Sequence, residues 1–260
     1  MHKWRPSYKA IYVIPEVHGN IASLERILNR ILPLRSHTGQ EDMLIFLGDY
    51  IDGDPYGADV IEAILTIKKE YGERIVCLKG NHEDLFLQAI MGVKRNFDDW
   101  IAKGGQRTIG GYLEKFGYDR TIESVASSEL KDIIPQSHID FLNDLESFHI
   151  LDEYFFMHGS FNPNKIIAEN DLRTLIWDES GSKYVKEQLK KGSIPELKDD
   201  YIFIGAHNYK GTEPYIYQRY MMLGGGAPEK LYVLDLNSMQ CSRASSGKER
   251  IYPFKLNVVE

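Results

Sequence analysis

Five short stretches of this chain carry side chains able to hold cations and move protons: Glu16-Val17-His18-Gly19, Gly48-Asp49-Tyr50-Ile51-Asp52, Gly80-Asn81-His82-Glu83, His158-Gly159 and Gly205-Ala206-His207. Each joins a carboxylate, imidazole or amide to a small residue that lets the backbone turn tightly. Hard oxygen and imidazole donors in this mixture are the ligand set of a divalent metal pair, suiting Mn, Fe, Zn or Co better than Ca. The chemistry such a pair serves is attack on an anion such as a phosphate ester. Two cations add four positive charges and Glu16 and Asp49 remove two, leaving a locally positive site on a chain whose formal net charge is −7. Ions about 3.5–4 Å apart clamp the attacking and leaving oxygens and lower the pKa of bridging water, so that hydroxide exists near neutral pH. Taken singly, each residue has a plainer role. Asp49 reads as a turn or cap aspartate, Asn81 as the cap of a helix beginning at Glu83, and His158 or His207 as a core or surface histidine. Their joint placement after strands argues for the metal site.

What must position these blocks is a sheet. Ala10–Ile14, Met43–Leu47 and Arg74–Leu78 read as buried strands. Between them, Ile21, Leu24, Ile27, Leu28, Ile31 and Leu32 recur at helical spacing up to Pro33, and Val60, Ile61, Ile64, Leu65 and Ile67 repeat the stripe up to Gly72. This alternation predicts a mostly parallel sheet covered on both faces, with ligands gathering beyond the carboxyl ends of its strands. The first three blocks occupy those ends. The stretch from Phe97 to Leu145 leans helical and reads as an inserted cap, approximately residues 92–147 of one domain spanning 1–260. Later strands are expected at Phe148–Leu151, Glu153–Met157, Tyr201–Ile204, Tyr217–Leu223 and Leu231–Leu236, and their close spacing predicts antiparallel pairing.

In order and spacing the five blocks resemble the signature motifs of the calcineurin-like metallophosphoesterases. The likeness is strongest to the bacterial and phage form of the phosphoprotein phosphatase branch, which also includes symmetrical diadenosine tetraphosphate hydrolases. Trp100 with Gly104-Gly105 and Thr108 is similar to a further block of those bacterial enzymes, and the resemblance spans about residues 11–236. It implies an α/β fold, a four-layer α/β/β/α sandwich of two mixed sheets flanked by helices. Position by position, it implies that Glu16, His18 and Asp49 hold one metal ion and that Asp49, Asn81, His158 and His207 hold a second. Manganese is the ion expected, with Fe, Zn, Co or Ni as alternatives. The resemblance makes His82 the group that protonates the leaving oxygen and Asp52 the carboxylate that orients it. That fits acid catalysis, because an imidazole beside a carboxylate keeps its proton near neutral pH. The activity implied is hydrolysis of phosphate monoesters by a metal-bridged hydroxide, on a phosphorylated protein or a small phosphoester, with phosphorylated serine and threonine of proteins expected first. The alternative is symmetrical cleavage of diadenosine tetraphosphate. A weakly catalytic module that binds metal and phosphate is the alternative of another class.

Three departures from the family pattern bear on that expectation. Glu16 replaces the usual aspartate of the first block, and its extra methylene shifts a ligand where distances are held to about 0.2 Å. Gly53 stands where an arginine would grip phosphate, and Trp177 is followed by Asp178-Glu179 where another phosphate-binding arginine is expected nearby. Arg107 and Arg173 are candidate replacements, with solvated surface charge their plainer reading, and Tyr50 and Tyr209 are rings that either line the cleft or pack in the core. Composition bounds the rest. At 260 residues, 43% hydrophobic and 27% charged, the chain is ordinary globular material. Its acidic balance argues against coating nucleic acid or an anionic membrane. Cys77 and Cys241 give no disulfide framework, which points to a reducing compartment. The apolar run Ala10–Ile14 is too short for a signal segment or membrane span, so a cytoplasmic address is expected.

Overall fold

The strands alternate in side-chain direction, and that period of two builds the molecule. The computed structural model describes residues 8–37, 40–191, 193, 196–207, 214–217, 219–224, 230–245, 252–254 and 257–259. In chain order its first half contains β1 (Tyr8–Ile14), α1 (Ile21–Ile31), β2 (Ser36–His37), β3 (Gln40–Phe46), α2 (Gly57–Tyr71), β4 (Ile75–Cys77), α3 (Asn81–Ala89), α4 (Lys94–Trp100), α5 (Gln106–Lys115), α6 (Leu130–Ile133) and α7 (Gln136–Asn143). The second half contains β5 (Phe148–Leu151), β6 (Tyr154–Met157), α8 (Leu172–Trp177), α9 (Ser180–Lys190), β7 (Ile202–Gly205), β8 (Tyr215–Tyr217), β9 (Tyr220–Met222), β10 (Lys230–Asp235), β11 (Gln240–Ser245), β12 (Tyr252–Phe254) and β13 (Asn257–Val259).

Both sheets are mixed. The first has the order β12-β11-β10-β1-β3, with β2 and β4 both paired to β3. Strands β1, β3 and β4 are parallel, whereas β10 joins β1 antiparallel and leads into the antiparallel β11 and β12. The second has the order β13-β8-β9-β7-β6-β5. Here the expected antiparallel pairing is corrected: β5–β6 and β8–β9 are antiparallel hairpins, but β6, β7 and β9 run parallel. The expected strand Tyr217–Leu223 is also corrected, because the chain folds back and Tyr217 pairs with Tyr220 across a turn. Gln218 lies outside the described residues. Apolar and aromatic residues on both sides of Gln218-Arg219 made the run read as one strand.

Three apolar clusters fill the spaces between layers. Ile11, Val13, Met43, Ile45 and Val76 from the first sheet meet Tyr154, Phe156, Ile204, Ile216 and Met221 from the second. The alternate residues Ile14, Leu44, Phe46 and Ile75 face outward onto Leu24, Ile27, Ile61 and Ile64 of α1 and α2. Phe155, Met157, Phe203 and Met222 likewise face Leu175 of α8 and Val185 of α9. Three interfaces make four layers: helix, sheet, sheet, helix. Trp100, Tyr112, Leu130 and Phe141, from the segment between α3 and β5, join the cluster under α1 and α2 and extend that outer helical layer. No helix of the described residues is long and apolar enough to cross a membrane. Cys77 and Cys241 are free and buried, and burial pushes both thiols up to about 12.

Candidate metal centre

Because β1, β3 and β4 run parallel side by side, the loops after them emerge at one edge, and the parallel β6 and β7 deliver theirs from the second sheet. Backbone bonds stitch the loops together. The Val17 and His18 amides donate to the Asp49 carbonyl at 2.9 and 2.7 Å, and the Ala206 and His207 amides donate to the His158 carbonyl at 2.9 and 2.8 Å. Three residues of this edge, His18, Asp49 and Asp52, adopt φ of 48°, 53° and 70°. Non-glycine residues rarely occupy that region, and such strain collects at functional sites.

Around Asp49 the donors fall into two groups. Glu16, Asp49, His158 and His207 each offer a donor atom within 4.8 Å of the others, and so do His18, Asp49 and His82. The resemblance put Glu16 with His18. Here Glu16 Oε1 stands 3.9 Å from His207 Nδ1, while His18 Nε2 lies 3.6 Å from Asp49 Oδ2. Asn81 is the first residue of α3, whose cap is Gly80, so Asn81 is not itself the cap. The Leu47 carbonyl, 2.9 Å from His158 Nδ1, takes the proton of that nitrogen. His158 Nε2 then turns a lone pair toward Asn81 Oδ1 at 2.9 Å and Asp49 Oδ2 at 3.4 Å. Acceptors crowded together without a proton between them are what a bound cation relieves, so the donor set fits a metal ion.

The charge states fit as well. Burial alone would raise the Asp49 carboxyl, but His158, His82 and His18 around it reverse the effect and hold it well below the ordinary carboxylate range. Burial lowers His18 and pushes His158 down to about 4, against the pull of Asp49. An ionised carboxylate among neutral imidazoles is the state that metal ligation requires.

His82 behaves differently. Burial opposes its charging, yet Asp49 and Asp52 outweigh burial and push it up to about 9. Its Nδ1 lies 3.0 Å from Asp52 Oδ2. That carboxylate is itself clamped: Trp100 Nε1 donates to Oδ2 at 2.7 Å and the Thr108 hydroxyl to Oδ1 at 2.5 Å. Gly104, at φ 118°, lets the chain pass the Asp52 carbonyl so closely that a Cβ there would lie 2.3 Å from its oxygen. The block around Trp100 therefore holds Asp52, a role the sequence did not reveal. Glu83 has a role of the same kind. Wholly buried, it accepts from the backbone amides of Asp49, Tyr50 and Gly80 at 2.8, 2.8 and 2.9 Å.

The profile of calcineurin-like phosphoesterases matches residues 9–231. The chain belongs to this family. Like the members of that family, it carries His, Asp and Glu groups placed so that they could hold metal. The serine/threonine-protein phosphatase 6 catalytic subunit of Drosophila melanogaster is 29% identical over 125 residues, which are 48% of this chain and 39% of that protein. The serine/threonine-protein phosphatase 4 catalytic subunit of Kluyveromyces lactis is 23% identical over 167 residues, 64% of this chain and 43% of that one. The matches thus span less than half the length of these curated relatives. Among solved structures, a "putative diadenosine tetraphosphatase" superposes with a TM-score of 0.56 at 14% identity, covering 91% of this chain and 93% of that one. The cold-active protein-tyrosine phosphatase of a psychrophilic Shewanella superposes with a TM-score of 0.56 at 14% identity, covering 96% and 83%. At these identities the two structures attest the shared fold.

One departure from the family pattern, Gly53, has a physical cause. A Cβ on Gly53 would lie 2.3 Å from the His18 carbonyl oxygen and 2.4 Å from its Cβ, so the usual arginine has no room. Restoring it as Gly53→Arg is expected to displace His18, cost about 2–3 kcal/mol and lower the melting temperature by about 5–10 °C. A melting curve checks this, and an unchanged midpoint would refute it. Arg107, one candidate replacement, donates to the Gly53 carbonyl at 2.8 Å and so braces that loop. Arg173 lies over the Trp177 ring instead. Tyr50 is fully buried with its hydroxyl donated to the Leu78 carbonyl at 2.8 Å, so of its two readings packing holds and cleft lining does not. Tyr209 lies outside the described residues. Glu179, unforeseen from sequence, sits 3.0 Å from His207 Nε2 and can orient that ring as carboxylates orient ligating histidines.

Proposed function

We propose that this phosphoesterase hydrolyses phosphate monoesters with a pair of divalent ions, and that its substrates are proteins phosphorylated on serine or threonine. The observation that carries the reading is Asp49, buried and common to both donor groups. Glu16, His18, Asp49, Asn81, His158 and His207 would hold the ions, with Asp49 between them. Bound there, the ions would supply Lewis acidity toward phosphoryl oxygens and make water more acidic. His82, held through Nδ1 by Asp52, would present the proton on Nε2 to the leaving oxygen. The partly exposed His82, oriented by the buried Asp52, Trp100 and Thr108, supports an enzyme over a binding module, which needs no oriented proton donor. The phosphatase relatives support protein substrates. Mixed oxygen and nitrogen donors suit manganese as they suit Fe, Zn or Co, manganese being the ion the resemblance implies, and the free thiols support a reducing cytoplasm.

Purified protein loaded with manganese is expected to turn over p-nitrophenyl phosphate and a phosphoserine peptide, and to bind two ions per chain. Turnover no higher than that of Asp49→Asn with any of Mn, Co, Ni, Zn or Fe would end the reading. A kcat/KM for diadenosine tetraphosphate above that for the phosphopeptide would replace the protein substrate with the dinucleotide.

A further inference from the structure

The outer helical layer holds a cleft of about 550 Å³ lined by α3, α6 and α7. Small-molecule sites commonly enclose roughly 300–1,000 Å³. On one wall Asp84, Leu87 and Gln88 of α3, with Met91 just past it, follow the spacing that puts side chains on one side of a helix. On the other, Gln136, Ile139 and Asn143 do the same along α7. Lys131 of α6 completes the lining polar groups.

The walls have a definite chemistry. Each amide spends an N–H on a neighbour: Gln88 Nε2 donates to Asp84 Oδ2 at 2.9 Å, Gln136 Nε2 to Asp140 Oδ1 at 2.7 Å and Asn143 Nδ2 to the Ile139 carbonyl at 3.0 Å. Those bonds fix which end of each amide is oxygen, and no described residue donates to the three side-chain oxygens. Asp84 adds a carboxylate, whose Oδ2 also accepts from Trp177 Nε1 at 2.7 Å. Lys131 is exposed and forms no ion pair with a described carboxylate, Asp84 included. One cleft therefore presents a negative and a positive group that do not satisfy each other. The rest of its lining is apolar: Leu87 is half-buried, Ile90 and Ile139 are buried, and Met91 is 74% exposed, a long adaptable side chain left in water.

A ligand that matches all of this carries a cation for Asp84 and the amide oxygens, an aliphatic stretch for the apolar wall, and a carboxylate for Lys131. We infer that the cleft binds a basic amino acid, lysine or arginine, by its side-chain cation and its carboxylate, either free or as the last residue of a polypeptide. An amine with no carboxylate would leave Lys131 facing a like charge, and a carboxylate with no side-chain cation would leave Asp84 and the amide oxygens without a donor. The two mismatches select a molecule charged at both ends.

The test titrates L-lysine, and a short peptide ending in lysine, into the full chain by calorimetry and follows tryptophan fluorescence, which Trp177 should report through its bond to Asp84. No turnover is needed for either readout. At least one of the two ligands is expected to bind with a Kd on the order of 1 mM or tighter. Norleucine, which lacks the side-chain ammonium, and cadaverine, which lacks the carboxylate, should each bind about tenfold more weakly than lysine. Lys131→Gln and Asn143→Leu, both at exposed positions, should each weaken binding about tenfold, roughly one lost charge-assisted bond, with the melting temperature unchanged. Lys94→Gln removes a unit charge from an exposed position outside the cleft and should leave binding as it is. A peptide that binds more tightly than free lysine and loses that advantage when its end is amidated identifies a polypeptide terminus as the ligand, and the reverse order identifies the free amino acid. The inference is overturned if neither ligand binds at about 10 mM, if norleucine or cadaverine binds as well as lysine, or if a Lys131→Gln/Asn143→Leu double variant binds within twofold of the parent.

Discussion

Replacing Glu83 with alanine is expected to be the most destabilising single change near the site. Its Oε2 accepts from the Asp49 and Gly80 amides and its Oε1 from the Tyr50 amide, all in a place closed to water. Removal leaves three buried N–H donors without acceptors, each worth about 1–3 kcal/mol once orphaned. The resulting loss of about 4 kcal/mol or more belongs to the rare severe class of substitutions and should lower the melting temperature by roughly 10 °C. Glu83→Gln is expected to fall between parent and alanine. Its single oxygen can serve either the two amides at Oε2 or the one at Oε1, and its NH2 must then face a donor. Because the three bonds fix the turn that carries Asp49 at its positive φ, metal binding should weaken in the same order, alanine below glutamine below parent. Thermal melts and metal counts on both variants decide it; an alanine variant melting within about 2 °C of the parent would show that the three bonds contribute little.

The contrast between Glu83 and its neighbours explains what the sequence could and could not reveal. Glu16, His18, Asp49, Asn81 and His82 stand out because each lies in a short block that holds a glycine and comes just past an apolar strand, a local pattern that survives without tertiary knowledge. The alternation of Ile11 and Val13 against Ile14, or of Met43 and Ile45 against Leu44 and Phe46, equally shows strands covered on both faces. Glu83 reads instead as one more acidic residue in the first turn of a helix. Its role exists only once the turn after β3, more than thirty residues earlier, folds over it. Thr108 and Trp100 are the same case, joined to Asp52 across separations of 56 and 48 residues.

Strand β11 was illegible for a different reason. Gln240–Ser245 pairs with β10 at six positions but fills its buried places with Cys241, Ser242 and Ala244. Small side chains at those positions give no hydrophobic alternation to read. At Gly53 the sequence announced a missing arginine, whereas only the packing of His18 against that residue shows why no side chain could be there.

The second large effect is expected at His82, and it separates two roles that the geometry places close together. His82 belongs to one of the donor groups around Asp49, so it could ligate metal; it is also bonded through Nδ1 to an Asp52 held by Trp100 and Thr108, as a proton donor would be. A ligand and a proton donor respond differently to the leaving group. An alkoxide leaves poorly unless protonated, whereas p-nitrophenolate leaves without help. If His82 supplies the proton, His82→Asn should lower kcat for a phosphoserine peptide about 10²–10⁴-fold and for p-nitrophenyl phosphate only about tenfold, with both ions retained. Asp52→Asn should follow the same pattern more weakly, since it disturbs the ring's orientation and charge but leaves the ring in place. If His82 is instead a ligand, the two substrates should lose activity by the same factor and one ion should be lost with the imidazole. Rates on the two substrates together with metal analysis of His82→Asn choose between them, and the second result would remove the proton donor from the proposed mechanism.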